Sequence, residues 1–70
     1  MQKIQATALR AIRMPEVMRL TGASRPTVWR WSKSDSTFPR PFHLSPAMTV
    51  WDEGEVISWI SAKKAMRDKG

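Results

Sequence analysis

The chain has no cysteine, no tyrosine, a single histidine and only three glycines among its 70 residues. Without cysteine, neither a disulfide framework nor a thiolate metal site can support a small core. His43 stands alone among scattered carboxylates, which leaves no zinc constellation and no triad. With no phosphate-cradling glycine loop and no paired carboxylates beside a metal ligand, the expectation is a protein that is not an enzyme and uses no cofactor or small-molecule substrate. No stretch approaches the ~20 apolar residues of a membrane span. Met1 to Ile12 holds no apolar run to serve as the core of a signal peptide, so a cytoplasmic protein without a membrane partner is expected.

Acidic residues are also scarce: six Asp and Glu face twelve Lys and Arg, for a net charge of +6. In so small a domain that excess points first to a polyanion, nucleic acid above all. An apolar fraction of 41% is ordinary for a folded domain, and four tryptophans can supply much of the core, at roughly 150–250 Å² of buried area each. One domain is expected, close to the size at which a single core can still carry a fold.

Met14 to Trp31 organises the rest. Pro15 and Glu16 suit a first helical turn, the proline because its missing N–H needs no partner, the glutamate because it meets the positive end of the helix dipole. Val17 and Leu20 share a face, and Gly22 ends the helix after about two turns. Ser24 is placed to cap a second helix, with Pro26 in its first turn. At 100° per residue, Val28 and Trp31 face inward with Ser24 and Ser32, while Pro26, Trp29, Arg30 and Lys33 face outward, flanked by Arg25 and Thr27. A short helix, a glycine turn and a second, basic helix form the pattern of a helix-turn-helix.

Before it, Lys3, Arg10 and Arg13 belong either to a basic arm that contacts phosphate or to a solvated tail, and Arg10 to Arg13 suits a short lead-in strand. After it, a polar loop at Ser34–Thr37 ends the second helix. The prolines at positions 39 and 41 then favour extended chain. Phe42 and Leu44 alternate toward one face, with His43 opposite; Ser45-Pro46-Ala47 turns; Met48 to Trp51 returns as a strand. Phe42, Leu44 and Trp51 are the core candidates of this hairpin. Asp52 opens a third helix as the cap of an Asp-type capping box, and Val56, Trp59 and Ile60 form its inner stripe with Ile57 at the edge. The expected organisation is a flexible arm over 1–11, a folded domain over 12–66 and a frayed tail over 67–70. The fold class is mainly α with a small β-hairpin: three helices plus a wing.

The segment Glu16-Val17, Arg19-Leu20-Thr21-Gly22, Ser24 and Thr27-Val28 resembles the helix-turn-helix of MerR-like winged domains. Phe38-Pro39-Arg40-Pro41-Phe42 and Leu44, followed by Trp51, Glu53, Glu55-Val56 and Trp59-Ile60, resembles the AlpA-type phage regulators and their excisionase relatives. The likeness runs without a gap from about Ile12 to Ile60. It implies a winged helix-turn-helix protein of a prophage or integrative element that binds double-stranded DNA as a transcriptional regulator or as an excisionase. Its further partners would be an integrase or more copies of itself on DNA. Carried over by position, Ser24, Arg25, Thr27, Trp29 and Arg30 occupy the DNA-reading helix, with Lys33 on the same outer face. The family's wing turn is often glycine-rich and basic; Ser45-Pro46-Ala47 is neither, which leaves Arg40 and His43 as the nearer wing contacts. A different reading of the same residues is a protein-interaction module, in which Trp29, Ile57 and Met66 dock on an integrase, a repressor or a signalling partner.

Overall fold

The computed structural model describes residues 9–69. The expectations for Lys3 and for the arm at positions 1–8 lie outside the described residues. In chain order the elements are β1 (Ala11–Ile12), α1 (Met14–Thr21), α2 (Arg25–Ser34), β2 (Phe42–Ser45), β3 (Met48–Asp52) and α3 (Glu53–Lys69). This is the expected winged helix-turn-helix, mainly helical with a β-hairpin. The lead-in strand enlarges the hairpin to a three-stranded antiparallel sheet of order β1-β3-β2. Ile12 pairs with Trp51 and Ala11 with Asp52. No helix of the described residues is long and apolar enough to cross a membrane.

Local chemistry sets the two helix junctions. Gly22 takes φ +74° and its N–H donates to the Met18 carbonyl at 2.7 Å, closing α1 as a left-handed C-cap. Thr21 Oγ1 donates to the Val17 carbonyl at 2.8 Å and accepts from the Ala23 N–H at 3.2 Å, which fixes the three residues leading into α2. At the other junction Asp52 Oδ1 accepts from the Gly54 N–H at 2.9 Å, so the wing strand runs directly into α3 as expected. Arg10 clasps the same end from outside, through its carbonyl to the Glu53 N–H at 2.8 Å and its guanidinium to the Glu53 carboxylate at 3.1 Å.

The core joins Ile12, Met14, Val17, Val28, Phe38, Trp51 and Val56, with Leu20, Trp31, Trp59 and Ile60 packed against it. Two core expectations are corrected. Phe42 and Leu44 are 37% and 57% exposed, while Phe38 is 2% exposed and takes the inner place. The reason is geometric. Pro46 cannot adopt the positive φ of the primed turns that match strand twist, and among the described residues no non-glycine residue has positive φ. The two-residue turn is relieved by a register shift between His43 and Ser45 that leaves Leu44 out of the pairing, and this breaks the alternation. β2 is also the sheet edge, so its side chains have little to pack against.

Phe38 is held from both sides. It meets Trp31 with ring centroids 5.5 Å apart and Trp59 edge-on at 4.9 Å. Asp35 Oδ1 accepts from both the Thr37 N–H (2.9 Å) and the Thr37 hydroxyl (2.6 Å), and that hydroxyl accepts from Trp59 Nε1 at 3.0 Å. The Thr37 hydroxyl and amide, helped by Lys63, hold the Asp35 carboxyl below its ordinary 3.8. A carboxyl lowered in the folded state contributes stability above its unfolded value and loses it as pH falls through the folded one. Melting temperature should therefore drop on acidification below about pH 4. Asp35→Asn should lower the neutral-pH melting temperature and flatten that acid limb, read by circular dichroism across pH.

Candidate nucleic-acid interface

α2 is the element that α1, the wing and α3 support. Its inner side carries Val28, fully buried, and Trp31, whose ring lies 5.0 Å from that of Trp59. Ser32 turns its hydroxyl back onto the Val28 carbonyl at 2.9 Å and so stays off the surface chemistry. The outer side presents Arg25, Pro26, Trp29, Arg30 and Lys33, all exposed, and half-buried Thr27; Ser24, expected on the inner side, is exposed as well, because it precedes the helix and lies outside its packed face. A second detail also differs from expectation. Ser24 occupies the N-cap position in extended conformation but makes no cap bond with its side chain; its Oγ pairs with Thr27 Oγ1 at 2.9 Å instead. The second hydroxyl, one turn on, takes the partner that the backbone would have used. The first turn of α2 is left without a side-chain acceptor.

Trp29 faces outward, 37% exposed, yet it is not free-standing. Its ring leans on the buried Trp51 at 5.4 Å between centroids and 51° between planes. The wing therefore holds this indole in place, and it remains partly exposed on the face that carries Arg25 and Arg30. On the wing, His43 stands opposite Thr49, with Nδ1 3.1 Å from Thr49 Oγ1.

Charge is unevenly matched over the surface. Arg10 is paired with Glu53 and Arg19 with Glu16 at 2.7 Å, while Lys63 lies 5.3 Å above the Trp59 ring. Among the described residues Arg13, Arg25, Arg30, Lys33, Arg40, Lys63 and Lys64 form no ion pair. Three of these seven belong to α2, whose first turn contains no acidic residue, unlike those of α1 and α3.

Two concavities divide the candidate residues. A cleft of about 440 Å³ between the start of α1, α2 and the wing brings Arg25 and Trp29 together with Arg13, Ala47, Thr49 and Trp51. A wider groove of about 1250 Å³, between α3 and the chain entering the wing, includes Arg40 with Leu9, Phe38, Phe42, Trp59 and Met66. Arg40 thus stands apart from the α2 surface, and His43 belongs to the wing beside Thr49. Of the three residues considered for protein docking, Trp29 lines the cleft, Met66 lines the groove and Ile57, 45% exposed, lines neither.

In the sequence Arg13 belongs only to a basic arm or a solvated tail, and Thr49 is no more than a residue of the returning strand. Arg13 carried a legible signal, since a basic residue directly before Met14-Pro15 falls at a helix N-cap where Ser, Thr, Asp or Asn is usual. Thr49 carried none; its place follows from strand register alone.

The family model for the prophage CP4-57 regulatory protein (AlpA) matches residues 10–64, from the residue before β1 into the second half of α3. The chain is 32% identical over 62 residues to the DNA-binding transcriptional activator AlpA of Escherichia coli (strain K12), covering 81% of this chain and 89% of that protein. It is 34% identical over 64 residues to the uncharacterized protein ORF88 of Enterobacteria phage P4, covering 91% of this chain and 72% of that protein. No solved structure matches the chain.

Proposed function

The chain belongs to the AlpA family of prophage regulatory proteins, and on that premise we propose that it is a DNA-binding transcriptional regulator whose α2 enters the major groove of double-stranded DNA. The observation that carries this reading is the outer face of α2, where Arg25, Arg30 and Lys33 stand without acidic partners among the described residues. The Escherichia coli relative is itself named a DNA-binding transcriptional activator.

In this mechanism α2 supplies both anchoring and reading. The uncapped first turn directs backbone N–H groups and the positive dipole end toward a phosphate. Arg25 and Arg30 are the cations able to reach a guanine edge, where an arginine can donate two hydrogen bonds to O6 and N7. Trp29, steadied by Trp51, covers sugar edges. Lys33 supplies charge that sets register without reading sequence, and Arg40, on the chain entering the wing, and His43, within it, add backbone contacts. One such module buries only roughly 600–1,000 Å² on DNA, so specific sites call for several copies side by side or a second protein.

The finer role we assign is that of a prophage or integrative-element protein. It would regulate transcription of the element in the cytoplasm and, together with an integrase, act as an excisionase by bending attachment-site DNA. The phage P4 relative supports that setting. A recombination assay with a cognate integrase separates regulator from excisionase.

Arg30→Ala should weaken binding to a selected duplex by about 1–3 kcal/mol in a gel-shift titration. If Arg25→Ala and Arg30→Ala both leave affinity unchanged, α2 is not the reading helix. The wide apolar groove beside α3 favours one alternative, docking on another protein. Salt separates the two, because binding through several phosphates weakens steeply as salt rises and an apolar contact does not.

A further inference from the structure

We propose that the cleft between α1, α2 and the wing is a clamp for one DNA phosphodiester, held by Arg13 and Arg25. The inference rests on the DNA-binding reading above and deepens it. It adds a contact outside α2, and it commits Arg25 to the backbone while leaving base reading to Arg30.

Two cations converge on the cleft, and neither has an ion-pair partner among the described residues. Both stand where a cation is least comfortable. Arg13 is the N-cap residue of α1 and Arg25 the first residue of α2, so each guanidinium sits at the positive end of a helix dipole. The acid that could offset Arg13, Glu16 in the same turn, is taken by Arg19 at 2.7 Å. α2 has no acid in its first turn, and no carboxylate lines the cleft among the described residues. The wide groove on the other side of the wing, by contrast, includes Asp52 and Glu55.

Like charges and two dipole ends gathered in one concavity repel one another, and a bound anion relieves that repulsion. Neither helix gains the side-chain cap that would ordinarily stabilise its start. The cleft is also built to take more than an ion. At about 440 Å³ it has room for a phosphodiester with parts of its sugars, and Trp29 forms an aromatic wall. Trp51, wholly buried, lies behind that wall, and its Nε1–H has no hydrogen-bond partner among the described residues.

The test uses the full chain, a duplex chosen from random DNA and an unrelated duplex of equal length. Arg13→Ser supplies a better helix cap, so it should raise the melting temperature while weakening binding. A residue with a merely structural role would not separate the two. The loss should be about eightfold at 0.1 M salt on both duplexes, and the slope of log affinity against log salt should fall by about 0.9, the signature of one lost phosphate contact. Arg25→Ala should show the same uniform loss, whereas Arg30→Ala should spare the unrelated duplex. Arg13→Gln, which leaves the cap chemistry poor, should reproduce the binding loss without the gain in stability. Unchanged affinity and slope in both Arg13 variants, with Arg30→Ala still impaired, would overturn the clamp and leave the DNA-binding reading standing. If Arg25→Ala loses affinity only on the selected duplex, its assignment to the backbone is wrong. If no variant changes binding, the DNA-binding reading fails and the clamp with it.

Discussion

Phe38→Ala removes the cooperative unfolding transition of this domain, whereas Phe42→Ala leaves it in place. Phe38 is 2% exposed and fills the space between Trp31 and Trp59. Truncating a buried phenylalanine costs about 3–5 kcal/mol through lost transfer energy and the cavity left behind. A single core in a chain of this size rarely supplies more than about 3–5 kcal/mol in total, so the variant should be largely unfolded at room temperature. Phe42 is 37% exposed on the edge strand and chiefly makes a cross-strand pair with Val50, worth about 1 kcal/mol or less. Urea melts followed by circular dichroism compare the two variants. Equal destabilisation would mean that the wing strand, not the loop before it, closes the core.

The second large effect lies at Trp51. It is fully buried, pairs with Ile12 in the sheet and supports Trp29 on the outer face of α2. Trp51→Ala should cost about 3–5 kcal/mol and, like Phe38→Ala, leave little folded protein. Trp51→Phe should behave differently from its lost volume. The indole N–H is buried without a partner among the described residues, and an orphaned donor costs about 1–3 kcal/mol. Removing that donor offsets much of the smaller ring's lost packing, so Trp51→Phe should lie within about 1 kcal/mol of the parent. A loss as large as that of Trp51→Ala would show that Nε1 is satisfied in solution.

Much of this architecture was legible in the chain because its signals are local. Gly22 closes α1, Pro15 and Pro26 sit in first turns, and Asp52 caps α3; each is decided within a few residues of itself. The inner faces of α2 and α3 followed from helical spacing, and Val28 and Val56 are both fully buried. What was not legible depends on partners far along the chain. Phe38 becomes core because Trp59, on α3, reaches back to Thr37 and pins the loop. Phe42 and Leu44 turn outward because a proline-containing turn and a register shift interrupt the period of two. Ser24 stands at the right position, but a neighbouring hydroxyl diverts its side chain.

The candidate site divides along the same line. The α2 face could be read from the helical period alone. That Arg40 belongs to the groove beside α3, and that Arg13 joins Arg25 across the start of two helices, depends on how β1 and the wing pack. Neither relation has a counterpart in residue spacing.

The central claim is that the outer face of α2 meets the edges of bases in the major groove. Methylation interference on the duplex selected from random DNA tests it most directly, since guanine N7 lies in that groove and adenine N3 in the other. The account predicts that methylation of at least one guanine N7 blocks the parent protein, and that Arg30→Ala, already weakened, no longer responds at that guanine. Interference confined to adenine N3, or an Arg30→Ala pattern identical to the parent's, would contradict it.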